Sequence, residues 1–404
     1  APEDCTGCGD CVEACPIHDK SNISRLAVNM APIGPLREPE RDNFDFFLKL
    51  PDFDRSLLKH GTIPGAMLLD PLFEFSGACA GCGETPYIKL LTQLYGDRML
   101  IANATGCSSI YGGNLPSTPY TTDANGRGPA WANSLFEDNA EFGLGFRLTV
   151  DQHRVRVLRL LDQFADKIPA ELLTALKSDA TPEVRREQVA ALRQQLNDVA
   201  EAHELLRDAD ALVEKSIWLI GGDGWAYDIG FGGLDHVLSL TENVNILVLD
   251  TQCYSNTGGQ ASKATPLGAV TKFGEHGKRK ARKDLGVSMM MYGHVYVAQI
   301  SLGAQLNQTV KAIQEAEAYP GPSLIIAYSP CEEHGYDLAL SHDQMRQLTA
   351  TGFWPLYRFD PRRADEGKLP LALDSRPPSE ALEETLLHEQ RFRRLNSQQP
   401  EVAE

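Results

Sequence analysis

Apolar runs alternate with helix-like segments along the second half of the chain. Four short runs have the length and composition of buried strands: SIWLIGG, VNILVLDT, VYVAQIS and SLIIAYS. Helices are predicted between them, at about 228–240, 278–292 and 304–318. Alternation of helices with fully apolar strands is typical of a mostly parallel sheet with helices on both faces. We therefore predict an α/β fold with functional loops at the carboxyl ends of its strands.

The first half of the chain adds a strand, a helix and an insertion to this pattern. RMLIANAT predicts a further buried strand, and YIKLLTQLYG predicts a helix that ends at Gly96. The stretch from about 150 to 215 has almost no glycine, and its apolar residues recur on one helical face. We predict a helical hairpin inserted into the α/β domain at this point.

Composition narrows the class of protein. The chain has 404 residues and a formal net charge of -17, which argues against a general nucleic-acid binder or a binder of anionic membranes. It contains no apolar run long enough to span a membrane and does not begin with a secretory signal. Its nine cysteines are too few for a disulfide scaffold of this length. A cytoplasmic protein is expected.

Four cysteines near the amino terminus form a recognisable motif. Cys5, Cys8, Cys11 and Cys15, followed by Pro16, have the spacing of the bacterial iron–sulfur run C-x2-C-x2-C-x3-C-P. A zinc knuckle or structural thiols are the competing interpretations, but zinc sites usually pair two C-x2-C arms across a longer spacer. The motif therefore predicts a 4Fe-4S cluster.

The same motif implies a second cluster. In two-cluster ferredoxin modules the fourth cysteine of the run binds the other cluster, so Cys15 is expected to serve a second cubane. That cubane needs three more cysteines, and none of the remaining five in this chain has the required spacing. We expect the partner motif, and the start of the functional protein, to lie upstream of residue 1.

A glycine-rich loop follows the first of the four apolar runs. Gly222 and Gly224 permit close approach of the backbone to a ligand, and Asp223 between them offers an oxygen ligand suited to Mg²⁺ beside a phosphate. Thr251 follows the next predicted strand, and a parallel sheet brings two such strand ends side by side. The two loops together predict a site for a nucleotide-like diphosphate with Mg²⁺.

These loops resemble a known family. GGDGWAYDIGFGGLDHVL followed by LVLDTQCYSNTGGQASKATPLGAVTKF is similar to the thiamine-diphosphate domain of single-chain pyruvate:ferredoxin oxidoreductases. The resemblance runs from the ferredoxin motif through FEFSGACAGCGETPYIKLL and SPCEEHG to about residue 360. It implies decarboxylation of a 2-oxoacid on thiamine diphosphate, electron export through three 4Fe-4S clusters, and transfer of the acyl group to coenzyme A.

The resemblance assigns roles at the diphosphate loops. It implies that Asp223 and Thr251 bind Mg²⁺ through their side chains and that residue 253 binds it through its carbonyl oxygen. Cys253 stands where an aliphatic residue is expected in relatives, and a backbone ligand tolerates that change. Asn256 is similar to the residue that hydrogen-bonds substrate and is the predicted catalytic residue. Trp225 either lines the cofactor pocket or fills the core.

The resemblance also implies a third cluster beside the cofactor. Its cysteine positions are Cys79, Cys82, Cys107 and Cys331. Spacing alone leaves zinc and iron–sulfur equally open for Cys79 and Cys82, and it does not favour Cys331 over Cys253. The resemblance decides both points.

Several parts of such an enzyme are expected elsewhere. Thiamine enzymes need a glutamate that contacts the aminopyrimidine, and the family carries its substrate and coenzyme A sites upstream. We therefore interpret the chain as the C-terminal part, or one subunit, of a larger enzyme, with a homodimer and a ferredoxin or flavodoxin partner expected. Pyruvate is favoured over other 2-oxoacids by overall resemblance, while the direction of the reaction stays open.

The expected organisation has four parts. They are the C-terminal half of a two-cluster ferredoxin-like module at 1–40, a connecting segment at 41–74, the thiamine domain with its cluster at 75–365, and a C-terminal arm at 366–404. An electron-transfer subunit without thiamine chemistry is the alternative function, and the pairing of Asp223 with Thr251 argues against it. A thiamine decarboxylase without redox output leaves eight well-placed cysteines unexplained.

Overall fold

A computed structural model describes residues 1–51, 53–114 and 116–403 of the protein. The amino-terminal part is small and largely exposed. It contains α1 (Asp10–Glu13), an antiparallel pair of β1 (His18–Asp19) with β2 (Asn22–Leu26), then α2 (Arg37–Leu48) and α3 (Ile63–Met67). The helix α2 extends into the predicted connecting segment and α3 lies within it, so that segment is partly regular.

The rest of the chain is organised by one mixed sheet. Its strands are β3 (Met99–Ala104), β4 (Ala130–Ser134), β5 (Ser216–Gly222), β6 (Asn245–Asp250), β7 (Tyr296–Ile300), β8 (Ser323–Tyr328), β9 (Tyr357–Phe359) and β10 (Leu371–Leu373). Over the described residues the strand order is β10-β9-β7-β8-β6-β5-β3-β4. The strands from β3 to β8 pair in parallel, while β9 and β10 form an antiparallel edge. The predicted α/β class with a mostly parallel sheet is confirmed.

Helices cover the sheet and fill the connections. They are α4 (Thr85–Tyr95), α5 (Cys107–Gly112), α6 (Asn139–Gln163), α7 (Ala170–Lys177), α8 (Pro182–Leu196), α9 (His203–Asp208), α10 (Phe231–Ser239), α11 (Leu285–Met290), α12 (Leu306–Glu317), α13 (Ser341–Ala350), α14 (Leu382–Leu386), α15 (Gln390–Gln398) and α16 (Pro400–Ala403). None of the helices in the described ranges combines the length and apolar character that crossing a membrane requires.

Alternating side chains of the central strands build two cores. On one face, Leu219 and Val248 pack with Leu234 and Val237 of α10. On the other face, Ile220 and Leu249 pack with residues of α4 and α12. Successive strand residues point to opposite faces, and helices cover both, so the central strands carry apolar side chains on each side. Burial on both faces leaves the strand ends as the places where loops can form a site.

The segment predicted as a helix at 278–292 differs from the prediction. Its helix is confined to α11, and the residues before it follow an irregular path. Lys278 donates from Nζ to the carbonyl oxygens of Ser262 and Thr265, at 2.9 and 2.6 Å. Arg282 forms an ion pair with Asp250, at 2.9 Å. These contacts hold the two basic side chains against the sheet-edge loops instead of on a helix surface.

The predicted insertion has its own core. Among the described residues it comprises four helices, α6 to α9, rather than a two-helix hairpin, and α6 starts at Asn139. Val157, Leu161, Leu192 and Leu196 are all buried within this cluster of helices. The insertion therefore folds around apolar contacts separate from the two faces of the sheet.

This separate core predicts a local stability effect. Leu192→Ala should lower the free energy of unfolding by about 2–5 kcal/mol, because it leaves a cavity among buried side chains. Val184→Ala, on the exposed side of the same helix, should change it by no more than about 0.5 kcal/mol. Urea unfolding followed by far-UV circular dichroism measures both, and equal effects of the two substitutions would contradict this interpretation.

Candidate functional site

The loops after β5 and β6 meet at one edge of the sheet. Gly222 at the end of β5 lies opposite Leu249 of β6, so Asp223 and Thr251 follow directly from paired strand ends. The Thr251 hydroxyl lies 3.0 Å from Oδ1 of Asp223 and 3.1 Å from the carbonyl oxygen of Cys253. The structure thus brings together the carboxylate, hydroxyl and carbonyl oxygens that the sequence analysis selected as Mg²⁺ ligands.

The Asp223 carboxyl group is fully buried. Burial raises its pKa well above the usual range, the nearby Asp250 carboxylate raises it further, and hydrogen bonds from Ser262 and Thr251 lower it. A buried carboxylate with a hydroxyl and a carbonyl oxygen beside it is a set of hard oxygen donors. A divalent cation would offset the cost of burying this negative charge. The residues therefore fit Mg²⁺.

The negative charge of a second buried carboxylate, Asp250, is balanced by other groups of the protein. Asp250 is fully buried and accepts hydrogen bonds from Arg282 at 2.9 Å and from the Tyr227 hydroxyl at 2.7 Å. Sequence reasoning missed Asp250, Arg282 and Ser262. For Asp250, its position immediately before Thr251 at a strand end was an available signal, whereas its pairing with Arg282 has no local signature.

A turn of π-helix follows Asp223. It spans Gly224–Ile229 and precedes α10. Such turns are rare and occur frequently at functional sites. A Cβ atom at Gly224 would lie 2.5 Å from the ring of Tyr254, so only glycine fits there. At Gly222 the surroundings are open, and the nearest atom to a Cβ would be 3.9 Å away.

A cavity of about 330 Å³ opens above these loops. Its walls contain all the residues predicted to bind the cofactor: Gly222, Asp223, Gly224, Trp225, Thr251 and Asn256. Trp225 is fully buried, packs closely against the backbone at Gly221, and also lines the cavity. The two interpretations given for Trp225 therefore both apply. We call this space the cofactor cavity.

A second cavity, of about 190 Å³, contains the predicted cluster cysteines in its walls. Cys79 and Cys82 lie in the loop before α4, Cys107 begins α5, and Cys331 follows β8. Gly83 donates from its backbone nitrogen to the carbonyl oxygen of Pro330, at 3.0 Å, and so joins the first loop to the last. The structure brings these four thiols together around one space, which we call the thiol cavity.

The thiol cavity is lined by four cysteine side chains, a donor set that iron–sulfur clusters use. Among the described residues, no group of three or more His, Cys, Asp or Glu side chains is arranged to hold a metal ion. In a cubane each cysteine binds a different iron, so the four sulfurs surround a volume instead of meeting at a point. Burial raises the pKa of the Cys82 thiol to about 12, and iron would replace such protons. The four cysteines fit a 4Fe-4S cluster.

Cys253 and Cys331 are neighbours with different positions. Cys253 is buried and lines the cofactor cavity, whereas Cys331 lines the thiol cavity. A hydrogen bond from the Cys253 thiol lowers the pKa of Cys331 to about 7. Spacing in the sequence could not separate these two residues; in the structure Cys331 lines the thiol cavity and Cys253 does not, while the choice of cluster ligand stays a prediction.

The cofactor cavity and the thiol cavity share a wall. It consists of five residues that line both spaces: Glu84, Cys107, Thr251, Ser255 and Asn256. Glu84 is buried, and burial, reinforced by Cys331, raises its pKa to about 8. Sequence reasoning did not select Glu84 or Ser255. Their positions two residues from Cys82 and Cys253 were the only signals available.

The amino-terminal cysteines line neither cavity. Cys5 and Cys11 are exposed, Cys8 and Cys15 are partly buried, and all four are free thiols. Gly7 and Gly9 have φ angles of 73° and 83°, which give this loop the tight turns expected from its sequence. Cluster binding by these four cysteines stays a prediction.

His334 is hydrogen-bonded to the loop at residues 251–253, which contains two of the predicted Mg²⁺ ligands and which we call the Mg²⁺ loop. It is fully buried, and its Nε2 donates to the carbonyl oxygen of Thr251, at 2.8 Å. Burial, with a contribution from the charge of Arg391, lowers the pKa of His334 to about 4. His334 is therefore a neutral structural residue.

Comparison with known proteins agrees with this geometry. A family model described as "Thiamine pyrophosphate enzyme, C-terminal TPP binding domain" matches residues 202–327, which contain both diphosphate loops. Residues 202–327 are thus similar to the C-terminal TPP-binding domain of thiamine pyrophosphate enzymes.

Longer curated relatives are named as oxidoreductases. The chain is 90% identical over its full length to a probable pyruvate-flavodoxin oxidoreductase of Escherichia coli (strain K12), of which it covers 34%. It is 54% identical to a pyruvate-flavodoxin oxidoreductase of Nostoc and 49% identical to a pyruvate:ferredoxin oxidoreductase of Moorella thermoacetica, covering 35% of each. The chain is a homologue of the pyruvate-flavodoxin and pyruvate:ferredoxin oxidoreductases, which confirms the resemblance, and spans about a third of their length.

A solved structure is also similar to the chain. A 2-oxoglutarate:ferredoxin oxidoreductase from Magnetococcus marinus has 15% sequence identity and a TM-score of 0.40, with 84% of this chain and 90% of that chain covered.

The buried state of His334 predicts a pH effect in the absence of metals. Between its ordinary pKa of about 6.5 and its folded value of about 4, the unfolded chain binds a proton that the folded chain does not, so acidification destabilises the fold. His334→Gln removes this contribution. Urea unfolding from about pH 7 down to about pH 4 should therefore show a shallower loss of stability in the variant. Parallel curves for the two proteins would contradict the burial of a neutral histidine.

Proposed function

We propose that this chain carries the thiamine-diphosphate site and iron–sulfur clusters of an enzyme that converts a 2-oxoacid and coenzyme A to an acyl-CoA and CO₂. The matched thiamine-pyrophosphate domain and the names of the relatives support this. Pyruvate is the proposed substrate, and flavodoxin or ferredoxin the proposed electron acceptor, because the relatives are named for them.

The shared wall between the two cavities is the observation that carries the proposal. A decarboxylase without redox output needs only the cofactor cavity, and an electron-transfer subunit needs only cysteine sites. Here the space for a diphosphate cofactor and the space enclosed by four thiols are separated by single side chains, including Cys107 and Asn256. Such proximity suits transfer of electrons from one to the other.

Each residue at the diphosphate loops has a proposed part in binding. Asp223 and Thr251 would hold Mg²⁺ through side-chain oxygens, and Cys253 through its carbonyl oxygen. The backbone at Gly222 and Gly224 would lie beside the diphosphate. Bound thiamine diphosphate supplies an electron sink for the decarboxylation.

The remaining side chains would orient the substrate and exclude water. Asn256 lines both cavities, which supports a role in which its amide donates a hydrogen bond to a substrate oxygen beside the cofactor. Trp225 forms an apolar wall of the same space. We propose Asn256 as the catalytic residue of this chain.

Electrons would leave through the cysteine sites. Cys79, Cys82, Cys107 and Cys331 would hold the 4Fe-4S cluster next to the cofactor, within a protein-lined cavity that limits contact with water. Cys5, Cys8 and Cys11 would hold a second cluster, and Cys15 would bind a third together with cysteines supplied by other sequence.

This chain matches about a third of the length of its relatives. Complete activity would also require sequence that corresponds to the rest of their length. We propose that this sequence, on the same chain or a partner subunit, carries the pyrimidine-contacting glutamate and the substrate and coenzyme A sites. We further propose that the complete enzyme is cytoplasmic, since the free cysteines of this chain suit a reducing compartment. A homodimer is proposed from the family resemblance.

The diphosphate site predicts the effect of a single carboxylate. In the complete enzyme, Asp223→Asn should lower pyruvate oxidation at least about 100-fold and reduce the bound thiamine diphosphate, because Mg²⁺ loses its charged ligand. Asp360→Asn, which alters a buried ion-paired carboxylate far from the site, should retain both. Anaerobic turnover assays and cofactor analysis measure these quantities. Equal cofactor content in wild type and Asp223→Asn would refute the assignment.

The cluster site predicts a difference between two adjacent cysteines. Three cubanes correspond to about twelve iron atoms, so Cys331→Ser should lose about four of them. Cys253→Ser should keep the full iron content, because Cys253 lies outside the thiol cavity. Iron and sulfide analysis after anaerobic purification distinguishes the two. Loss of iron from the Cys253 variant, with retention in the Cys331 variant, would reverse the assignment.

A further inference from the structure

The carboxyl-terminal arm returns to the Mg²⁺ loop. It contains α14 and α15; Glu389, just before α15, and Arg391, in its first turn, are 0% and 5% exposed. The backbone is anchored on both sides, since Val270 donates to the carbonyl oxygen of Arg391 at 2.9 Å and Gln390 donates to that of Gly335 at 3.1 Å. A polar, charge-rich tail is thus buried at one point.

Gln252 is the residue that this arm reaches. It lies between Thr251 and Cys253, is fully buried, and has a φ angle of 61°. This left-handed conformation is uncommon for residues other than glycine and persists where surrounding contacts hold it. Because Gln252 links Thr251 to Cys253, its backbone conformation sets the path of the chain between the two predicted Mg²⁺ ligands.

Three contacts hold Gln252 in this conformation. Its backbone nitrogen donates to Oδ1 of Asp250 at 3.0 Å, and its carbonyl oxygen accepts from the Thr265 hydroxyl at 2.6 Å. Its side-chain oxygen accepts from Nη2 of Arg391 at 2.7 Å. The first two contacts come from residues near in sequence, whereas the third comes from the arm.

Arg391 is held rigidly for this role. Its Nε donates to Oε2 of Glu389 at 2.6 Å, and the other oxygen of that carboxylate accepts from Gln344 at 2.9 Å. The guanidinium group thus spans Glu389 and Gln252, a geometry that a flexible lysine ammonium cannot reproduce.

A small polar cavity lies against the side chain of Gln252. It has a volume of about 50 Å³ and is lined by Gln252, Lys272, Arg391 and Arg394 among others. Within the described residues, Nε2 of Gln252 has no hydrogen-bond partner. Without Arg391, the glutamine side chain would therefore have both space and a reason to move.

We infer that Arg391 is a positioning residue for the Mg²⁺ site: through Gln252 it holds the loop that presents the Thr251 hydroxyl and the Cys253 carbonyl. This inference depends on the proposed function, because it assumes Mg²⁺ at these oxygens. The arm thereby links the far end of the chain to the cofactor site.

The test measures Mg²⁺ affinity in the complete enzyme, with thiamine diphosphate held at saturation. Arg391→Met should weaken Mg²⁺ binding about 10–100-fold, as loss of a residue behind a metal ligand does, while turnover recovers when Mg²⁺ is raised. Arg391→Lys should restore little of the loss. Equilibrium dialysis and turnover at varied Mg²⁺ provide the measurements.

Arg358→Met is the matched control. Arg358 is 8% exposed and pairs with Glu315 and Asp374 on the antiparallel edge of the sheet, away from both cavities. Its loss should lower the melting temperature and leave Mg²⁺ affinity unchanged. If Arg391→Met has the same two effects, the arm is merely structural and the inference is overturned.

A double substitution tests the route through Gln252. If Arg391 acts through Gln252, adding Arg391→Met to a Gln252→Ala protein should weaken Mg²⁺ binding by less than about threefold. If the double variant instead shows the product of the two single effects, Arg391 does not act through Gln252. Should Arg391→Met fail to fold, Gln252→Ala alone must weaken Mg²⁺ binding, or the inference fails. Absence of Mg²⁺-dependent thiamine diphosphate binding in the wild type would refute the proposed function itself.

Discussion

In-register parallel pairing of three central strands is the constraint on which the rest of the structure depends. Because β5, β6 and β8 run in the same direction, the loops that follow them emerge at one edge of the sheet. Asp223, Thr251 and Cys331 follow three different strands and are far apart in sequence, yet they lie at the same edge of the sheet. The apolar layers on both faces stabilise this arrangement, since shifting one strand by a residue would exchange its two sets of side chains and disrupt the packing on both faces. The positions of both cavities follow from this register.

Buried charge is the second feature that shapes the site. Asp223 and Asp250 are both fully buried at adjacent strand ends, an arrangement that repulsion and desolvation oppose. Arg282 compensates one of them within the protein. Among the described residues, the side chains that donate hydrogen bonds to Asp223 are the hydroxyl groups of Thr251 and Ser262, with no cationic side chain paired to it. This difference between the two carboxylates supports the proposal that Asp223 is the one that binds Mg²⁺.

Local patterns predicted the central strands and the loops that follow them, because fully apolar runs and a Gly-Asp-Gly turn have signatures within a few residues. The strands β4, β9 and β10 were not predicted. They lie toward the edges of the sheet and are short; β4 and β10 have no fully buried residue, and β9 spans three residues. The contact of Arg391 with Gln252 joins residues 139 positions apart and leaves no local trace. The cluster cysteines required the family resemblance, since spacing alone left zinc open and could not separate Cys331 from Cys253.

The central claim is that a diphosphate site and a four-cysteine cluster site share one wall, with Cys107 and Asn256 in it. Anomalous diffraction at the iron edge, from an anaerobic crystal of the complete enzyme containing thiamine diphosphate, tests it most directly. The structure predicts one iron peak among Cys79, Cys82, Cys107 and Cys331, with diphosphate density beside Asp223 across that wall. Iron elsewhere with these four sulfurs unligated, or diphosphate density away from Asp223, would contradict it.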